Sequence, residues 1–131
     1  MEEKRASKRY PVAYPIEKSD DHSAYPFSLV DVSKGGVAFT TTEEIKRADV
    51  LNFHIFLKRK MFTLSAVVIH ISSTGEGLYT VGARFLDASE DFYEVLNKEL
   101  DEITQFHREC NLYKHKNMSF RTASAEYINL H

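Results

Sequence analysis

Between Leu51 and Leu86 apolar residues fall mostly at every second position, and after Ser89 they recur every third or fourth. That change of period constrains the chain more than any other feature. Period two puts one face of a strand into a core; steps of three and four do the same for a helix. Leu51, Phe53, Ile55 and Leu57 share a face opposite Asn52, His54 and Phe56. Phe62, Leu64, Ala66 and Val68 alternate with Thr63, Ser65, Val67 and Ile69 in a longer strand. Tyr79, Val81, Ala83 and Phe85 line one side of a last strand over 78–86. Arg59-Lys60 and the stretch 72–77, with Gly75 and Gly77, join these strands as hairpins. From 89 to 110 the helical stripe is Phe92, Leu96, Leu100, Ile103, Phe106 and Cys110, widened by Val95. Ser89 is its N-cap, and Glu90 and Asp91 suit its N-terminus. The pattern predicts a mainly β fold: an antiparallel barrel or sandwich with a helix across its body or open end.

The chain before Leu51 is less regular. Residues 27–30 and 37–42 read as short strands, joined by a tight turn at Asp31-Val32-Ser33-Lys34-Gly35-Gly36 whose glycines can take positive φ. Pro11 and Pro15 flank residues 12–14, so any strand there is an edge or irregular one. Residues 19–23 form a loop by composition. Residues 1–10 are polar, with Lys4, Arg5, Lys8 and Arg9 close together, and read as an exposed basic arm. Residues 11–110 make the barrel or sandwich and its helix. The tail, 111–131, carries Tyr113, Phe120, Tyr127 and Ile128 without a clean period; it docks, or orders only with a partner.

Several functions are excluded or disfavoured. At 131 residues the chain is one domain. Seventeen Lys and Arg against nineteen Asp and Glu give a net charge of −2, which argues against a long nucleic acid as partner. The single cysteine, Cys110, lies on the helical stripe and reads as a buried thiol in a reducing, cytoplasmic setting. No secretory signal or membrane-spanning apolar run is present, so no membrane insertion is expected. His107, Cys110 and His115 lack a fourth ligand, so neither metal nor other cofactor is expected. His54 and His70 are strand histidines. No phosphate-binding loop, nucleophile elbow or nucleophile–base pair stands out, which leaves catalysis without support.

Two motifs carry chemistry. Arg5 and Arg9 are four residues apart on the arm, about 13 Å in extended chain with both side chains on one side. A guanidinium matches phosphate oxygens bidentately, and also the O6/N7 edge of guanine. Asp31, Ser33 and Gly36 place a carboxylate, a hydroxyl and a residue without Cβ around one turn. The carboxylate can accept from the N1–H and N2–H₂ edge of guanine, the hydroxyl can bond phosphate or base, and the glycine permits close approach. Taken singly, the first motif reads as a solvated basic terminus and the second as a polar turn bonded to its own backbone. Arg84 stands on the side of the last strand away from Val81, Ala83 and Phe85, as a surface charge or a ligand contact; Gly82 beside it suits close packing or a kink.

Together, Arg-x-x-x-Arg before a strand, Asp-x-Ser-x-x-Gly between strands, and Val81-Gly82-Ala83-Arg84-Phe85-Leu86 before a helix resemble the PilZ domain family. The resemblance covers residues 4–110. It implies a six-stranded antiparallel β-barrel with a C-terminal α-helix, and binding of the bacterial second messenger cyclic di-GMP. Arg5 and Arg9 would clamp phosphate and guanine, Asp31 and Ser33 would read a guanine edge, and Gly36 would admit the ligand. Lys4, Gly35 and Arg84 are secondary candidates, Lys4 for its place before the first arginine, which bears on whether one ligand or a stacked pair binds. The arm would fold over the barrel on binding. Two charge-assisted forks, each about 1.5–3 kcal/mol, are offset by ordering roughly ten arm residues, which implies micromolar affinity that weakens with salt. The output would pass to a protein partner in flagellar, secretion, polysaccharide or signalling machinery. The rival expectation is an interaction adaptor of the same fold that binds no nucleotide.

Overall fold

The structure, a computed structural model, describes residues 8–18, 27–58, 60–114 and 117–130. The arm through residue 7, with Lys4 and Arg5, the loop at 19–23, Arg59 and His115 lie outside the described residues. Six strands are present: β1 (Ile16–Lys18), β2 (Ser28–Val32), β3 (Gly36–Thr41), β4 (Val50–Phe56), β5 (Met61–Gly75) and β6 (Leu78–Asp87). Two helices follow, α1 (Glu90–Tyr113) and α2 (Phe120–Leu130). The strands form one antiparallel sheet in the order β1-β4-β5-β6-β3-β2, curled into a nearly closed barrel.

Residues 10–18 run from the edge of β2 to the edge of β4, the last three of them forming β1. Tyr10 exchanges both backbone hydrogen bonds with Val32 on β2, at 2.9 and 3.0 Å. Farther on, the Pro15 carbonyl accepts from Phe56 N at 2.9 Å, and β1 pairs with β4. Pro11 and Pro15 have no N–H to donate, which interrupts any ladder between these two anchor points. The segment between them is therefore irregular, yet Val12 and Tyr14 are buried in the core.

The alternation expected for β4, β5 and β6 places Phe53, Ile55, Leu64, Val68 and Val81 inside the barrel. Helix α1 begins where the change of period puts it: Ser89 Oγ accepts from Phe92 N at 3.0 Å. Phe92 is fully buried and meets Phe62 and Phe85 edge-on, with ring centroids 5.3 and 5.6 Å apart. Glu99, on the same face as Leu96 and Ile103, is also fully buried. Its Oε1 accepts from Tyr14 Oη and from Lys58 N, each at 3.0 Å. These bonds satisfy a charge-bearing group that would otherwise be costly to bury.

The tail departs from the sequence expectation, since it contains a regular helix. Its inward face is Phe120, Ala123, Ser124 and Tyr127, at helical spacing. Alanine and serine in the middle of the stripe hide the amphipathic pattern. Small side chains let α2 lie close: Ala13 N donates to Ser124 Oγ at 3.0 Å, and Tyr127 Oη bonds Glu102 on α1. Cys110 is buried and free, in keeping with its place on the stripe. Phe92→Ala should cost about 3–5 kcal/mol, the range for a deleted core aromatic. Urea denaturation with a loss below 1 kcal/mol would show that the Phe92 cluster does not hold α1 on the barrel.

Candidate functional site

The local structure of β2 decides which way the first motif faces. Leu29 and Val32 are both buried although they stand three residues apart. The pairing with β3 slips between Leu29 and Asp31, so Val30 is a bulge residue. A bulge advances the strand by one residue and reverses its phase. Asp31 therefore faces out of the barrel, where unbroken alternation from Leu29 would have turned it in. Asp31 also belongs to the strand, not to the turn in which the sequence places it.

The turn after β2 is tight and heavily bonded. Ser33 N donates to Gly36 O at 2.9 Å, and Gly35 N donates to Ser33 Oγ at 3.2 Å. Tyr93 on α1 donates its hydroxyl to Lys34 O at 2.7 Å, and Phe85 N donates to Gly35 O at 2.9 Å. The Ser33 hydroxyl is thus used by its own turn. Neither turn glycine takes positive φ; that conformation occurs at Gly75 and Gly77 in the β5–β6 hairpin. Gly36 is needed for another reason. A Cβ there would lie 2.1 Å from the Ala83 carbonyl oxygen, so the close approach that this glycine allows is that of β6.

Register carries the site across the sheet. Asp31 pairs with Ala38, Ala38 with Gly82, and Gly82 with His70, which makes one outward row over four strands. The next row holds Gly36, Arg84 and Val67. Ala38 and Gly82 leave the middle of the first row low, and the result is a cleft of about 630 Å³. Arg9, Asp31, Ser33, Gly35, Gly36 and Arg84 all line it. Arg5 and Lys4 lie outside the described residues. The volume is within the usual range for small-molecule sites, roughly 300–1,000 Å³.

The charges around the cleft are uneven. Arg9 and Arg84 are exposed cations at its rim. Burial pushes the Asp31 carboxyl above the usual carboxylate range, and the nearby Arg9 charge offsets only part of that effect. A partly desolvated carboxylate is a strong acceptor for N–H donors brought by a ligand. Burial likewise raises the Tyr93 hydroxyl, which stays a donor to the turn.

The sequence reading missed Ile69, His70, Thr80 and Ala38 as lining residues, because their convergence depends on register between strands. Gly82 was noticed, but for close packing. An added Cβ there would meet only His70 Cβ at 3.7 Å, an ordinary contact, and φ at this position is not positive. Its missing side chain keeps the trough open. His54 and His70 bond Thr63 and Ser72 at 2.9 Å, and His107 bonds the Met118 carbonyl at 2.8 Å. Among the described residues no group of His, Cys, Asp and Glu is placed to hold a metal.

Residues 3–102 match the family model for the PilZ domain. The chain belongs to the PilZ domain family. As a PilZ domain it is similar in fold to the PilZ domain of YcgR from Escherichia coli with c-di-GMP: TM-score 0.61, 20% identity, covering 87% of this chain and 99% of that one. It also resembles YcgR from E. coli in complex with c-di-GMP: TM-score 0.66, 22% identity, covering 82% of this chain and 49% of that one. MrkH from K. pneumoniae in its apo state gives TM-score 0.62, 21% identity, 83% of this chain and 55% of that one. The chain thus spans about half the length of YcgR and MrkH as solved. A comparison with curated protein sequences gave no match. No helix among the described residues of this PilZ domain is long and apolar enough to cross a membrane.

The two strand glycines should respond oppositely to alanine. Gly36→Ala should cost about 3 kcal/mol or more, because backbone cannot move away from the added methyl. Gly82→Ala should be neutral or stabilising by about 0.5–1 kcal/mol, as a freed strand residue loses less entropy on folding. Chemical denaturation of both variants checks the contrast; similar losses would mean that the trough glycine serves packing after all.

Proposed function

We propose that this PilZ domain is a receptor for cyclic di-GMP, which lies along the outer trough while the N-terminal arm closes over it. One observation carries the reading: Arg9, Asp31, Ser33, Gly36 and Arg84, remote in sequence, face a single cleft. The ligand has two phosphates and two guanines. Exposed guanidiniums suit the phosphates and the O6/N7 edges. The Asp31 carboxylate suits the N1–H and N2–H₂ donors, and these would relieve its desolvation. The low floor at Ala38 and Gly82 accepts a flat ring. Arg5, four residues before Arg9, is assigned as the second fork of the arm, and Lys4 beside it bears on the number of ligands bound.

The solved relatives support the ligand class, since two of them contain c-di-GMP. Closure of the arm is a population shift: a ligand that touches arm and barrel together binds only the closed arrangement. The output then passes to a protein partner that reads the closed form. Flagellar, secretion, polysaccharide and signalling machinery are the classes of partner to search.

Calorimetric titration tests this reading. The folded protein should bind cyclic di-GMP with micromolar affinity, more weakly as salt rises. Arg9→Ala and Asp31→Ala should each lose roughly tenfold or more, as expected for a charge-assisted contact of about 1.5–3 kcal/mol. The pH dependence has a definite sign. Binding uses the Asp31 carboxylate, and burial raises its pKa, so protons compete at higher pH than for an ordinary aspartate. Affinity should be level in the neutral range and fall as pH drops through that raised value; Asp31→Asn should flatten the profile. No heat from the folded protein would leave the adaptor as the function of the barrel.

A further inference from the structure

We propose that Arg121 on α2 is a positioning residue for the cleft: its guanidinium ties the β2 bulge to the segment behind Arg9, and so sets where Asp31 stands. The inference rests on the cleft being the cyclic di-GMP site. Arg121 Nη2 donates to Leu29 O at 2.7 Å, and Nη1 donates to Val30 O and to Val12 O, each at 3.1 Å. Leu29 and Val30 are the residues at which the β2 register slips. A bulge leaves backbone groups without ladder partners, and a guanidinium offers a rigid fork of donors that can satisfy several of them together. The third carbonyl, Val12 O, belongs to the other piece of chain that matters. Two residues before it, Tyr10 pairs with Val32, and Arg9 directly precedes Tyr10.

Neighbouring contacts of α2 grip the same segment. Ser124 Oγ, buried, accepts from Ala13 N at 3.0 Å, and the Phe120 ring lies 6.0 Å from that of Tyr10. One side chain therefore joins two of the segments that present the site's charged groups, β2 with Asp31 and the irregular segment 10–12 that follows Arg9. A lysine has a single nitrogen and lacks the rigid fork whose two nitrogens reach these carbonyls. Helix α2 also lies beyond residues 3–102, the part of the chain that the family model covers. The contacts that fix this site thus come from outside the part of the chain that the family model matches.

The test uses the full chain with Arg121→Met, which keeps the stem and removes the donors, and Arg121→Lys, which keeps the charge. Amide hydrogen exchange comes first. In Arg121→Met the Tyr10 and Val32 amides should exchange faster while Phe53 and Val81 in the core stay protected. Cyclic di-GMP affinity should then fall roughly tenfold in Arg121→Met, within the range for residues sharing one network, and less in Arg121→Lys. In an Asp31→Ala background, titrated to millimolar ligand, the same change should alter affinity less than about twofold, because the residue through which Arg121 acts is gone. Unchanged exchange at Tyr10 and Val32, or an equal loss of affinity in both backgrounds, overturns the proposal. If Arg121→Met does not fold, Arg121→Lys decides by the same two readings. If the wild type binds no cyclic di-GMP, the receptor reading falls, and the exchange result alone decides whether Arg121 fixes the bulge.

Discussion

Leu29 and Val32 both enter the core of the barrel, and they can do so only because Val30 is an extra residue in β2. That single slip of register turns Asp31 outward. It aligns the carboxylate with Ala38, Gly82 and His70 on one row, and with Arg9 at the rim. Without it the trough would lack this carboxylate, which would point into an apolar interior, where its charge is expensive. The burial of two aliphatic side chains thus holds a polar group on the working face.

A second constraint keeps the neighbouring strand in place. The Ala83 carbonyl sits where a Cβ of residue 36 would be, so β3 and β6 can lie together only with glycine there. The turn before Gly36 is then held by several hydrogen bonds, including one from Tyr93 on α1. The helix and the outer cleft are linked through that turn. Because Ser33 already bonds within the turn, a ligand must either add to that bonding or compete with it. The partly desolvated Asp31 carboxylate has more to gain from new N–H donors than the Ser33 hydroxyl does.

Much of this was legible in the sequence where the physics is local. Period two across β4, β5 and β6, the Ser89 cap and the stripe from Phe92 to Cys110 report burial on one face, and burial leaves a direct trace in residue type. Arg9, Asp31, Ser33, Gly36 and Arg84 were legible as a set only through likeness to a family, because no local rule brings them together. Three features left little trace. The bulge at Val30 is hidden because valine suits either face of a strand. Helix α2 is hidden because Ala123 and Ser124 interrupt its apolar stripe. Glu99 reads as a surface charge until Tyr14 and Lys58, far away in sequence, supply its partners.

The central claim is that the outer row across β2, β3, β6 and β5 is the surface that cyclic di-GMP occupies. A two-dimensional amide NMR titration of the folded protein tests it directly. Shifts should concentrate at Asp31, Ser33, Ala38, Gly82 and His70, together with the arm, with little change at Phe56 and Met61, paired at the far end of β4 and β5. Saturating shifts centred elsewhere on the barrel, with the Asp31–His70 row unmoved, would contradict it.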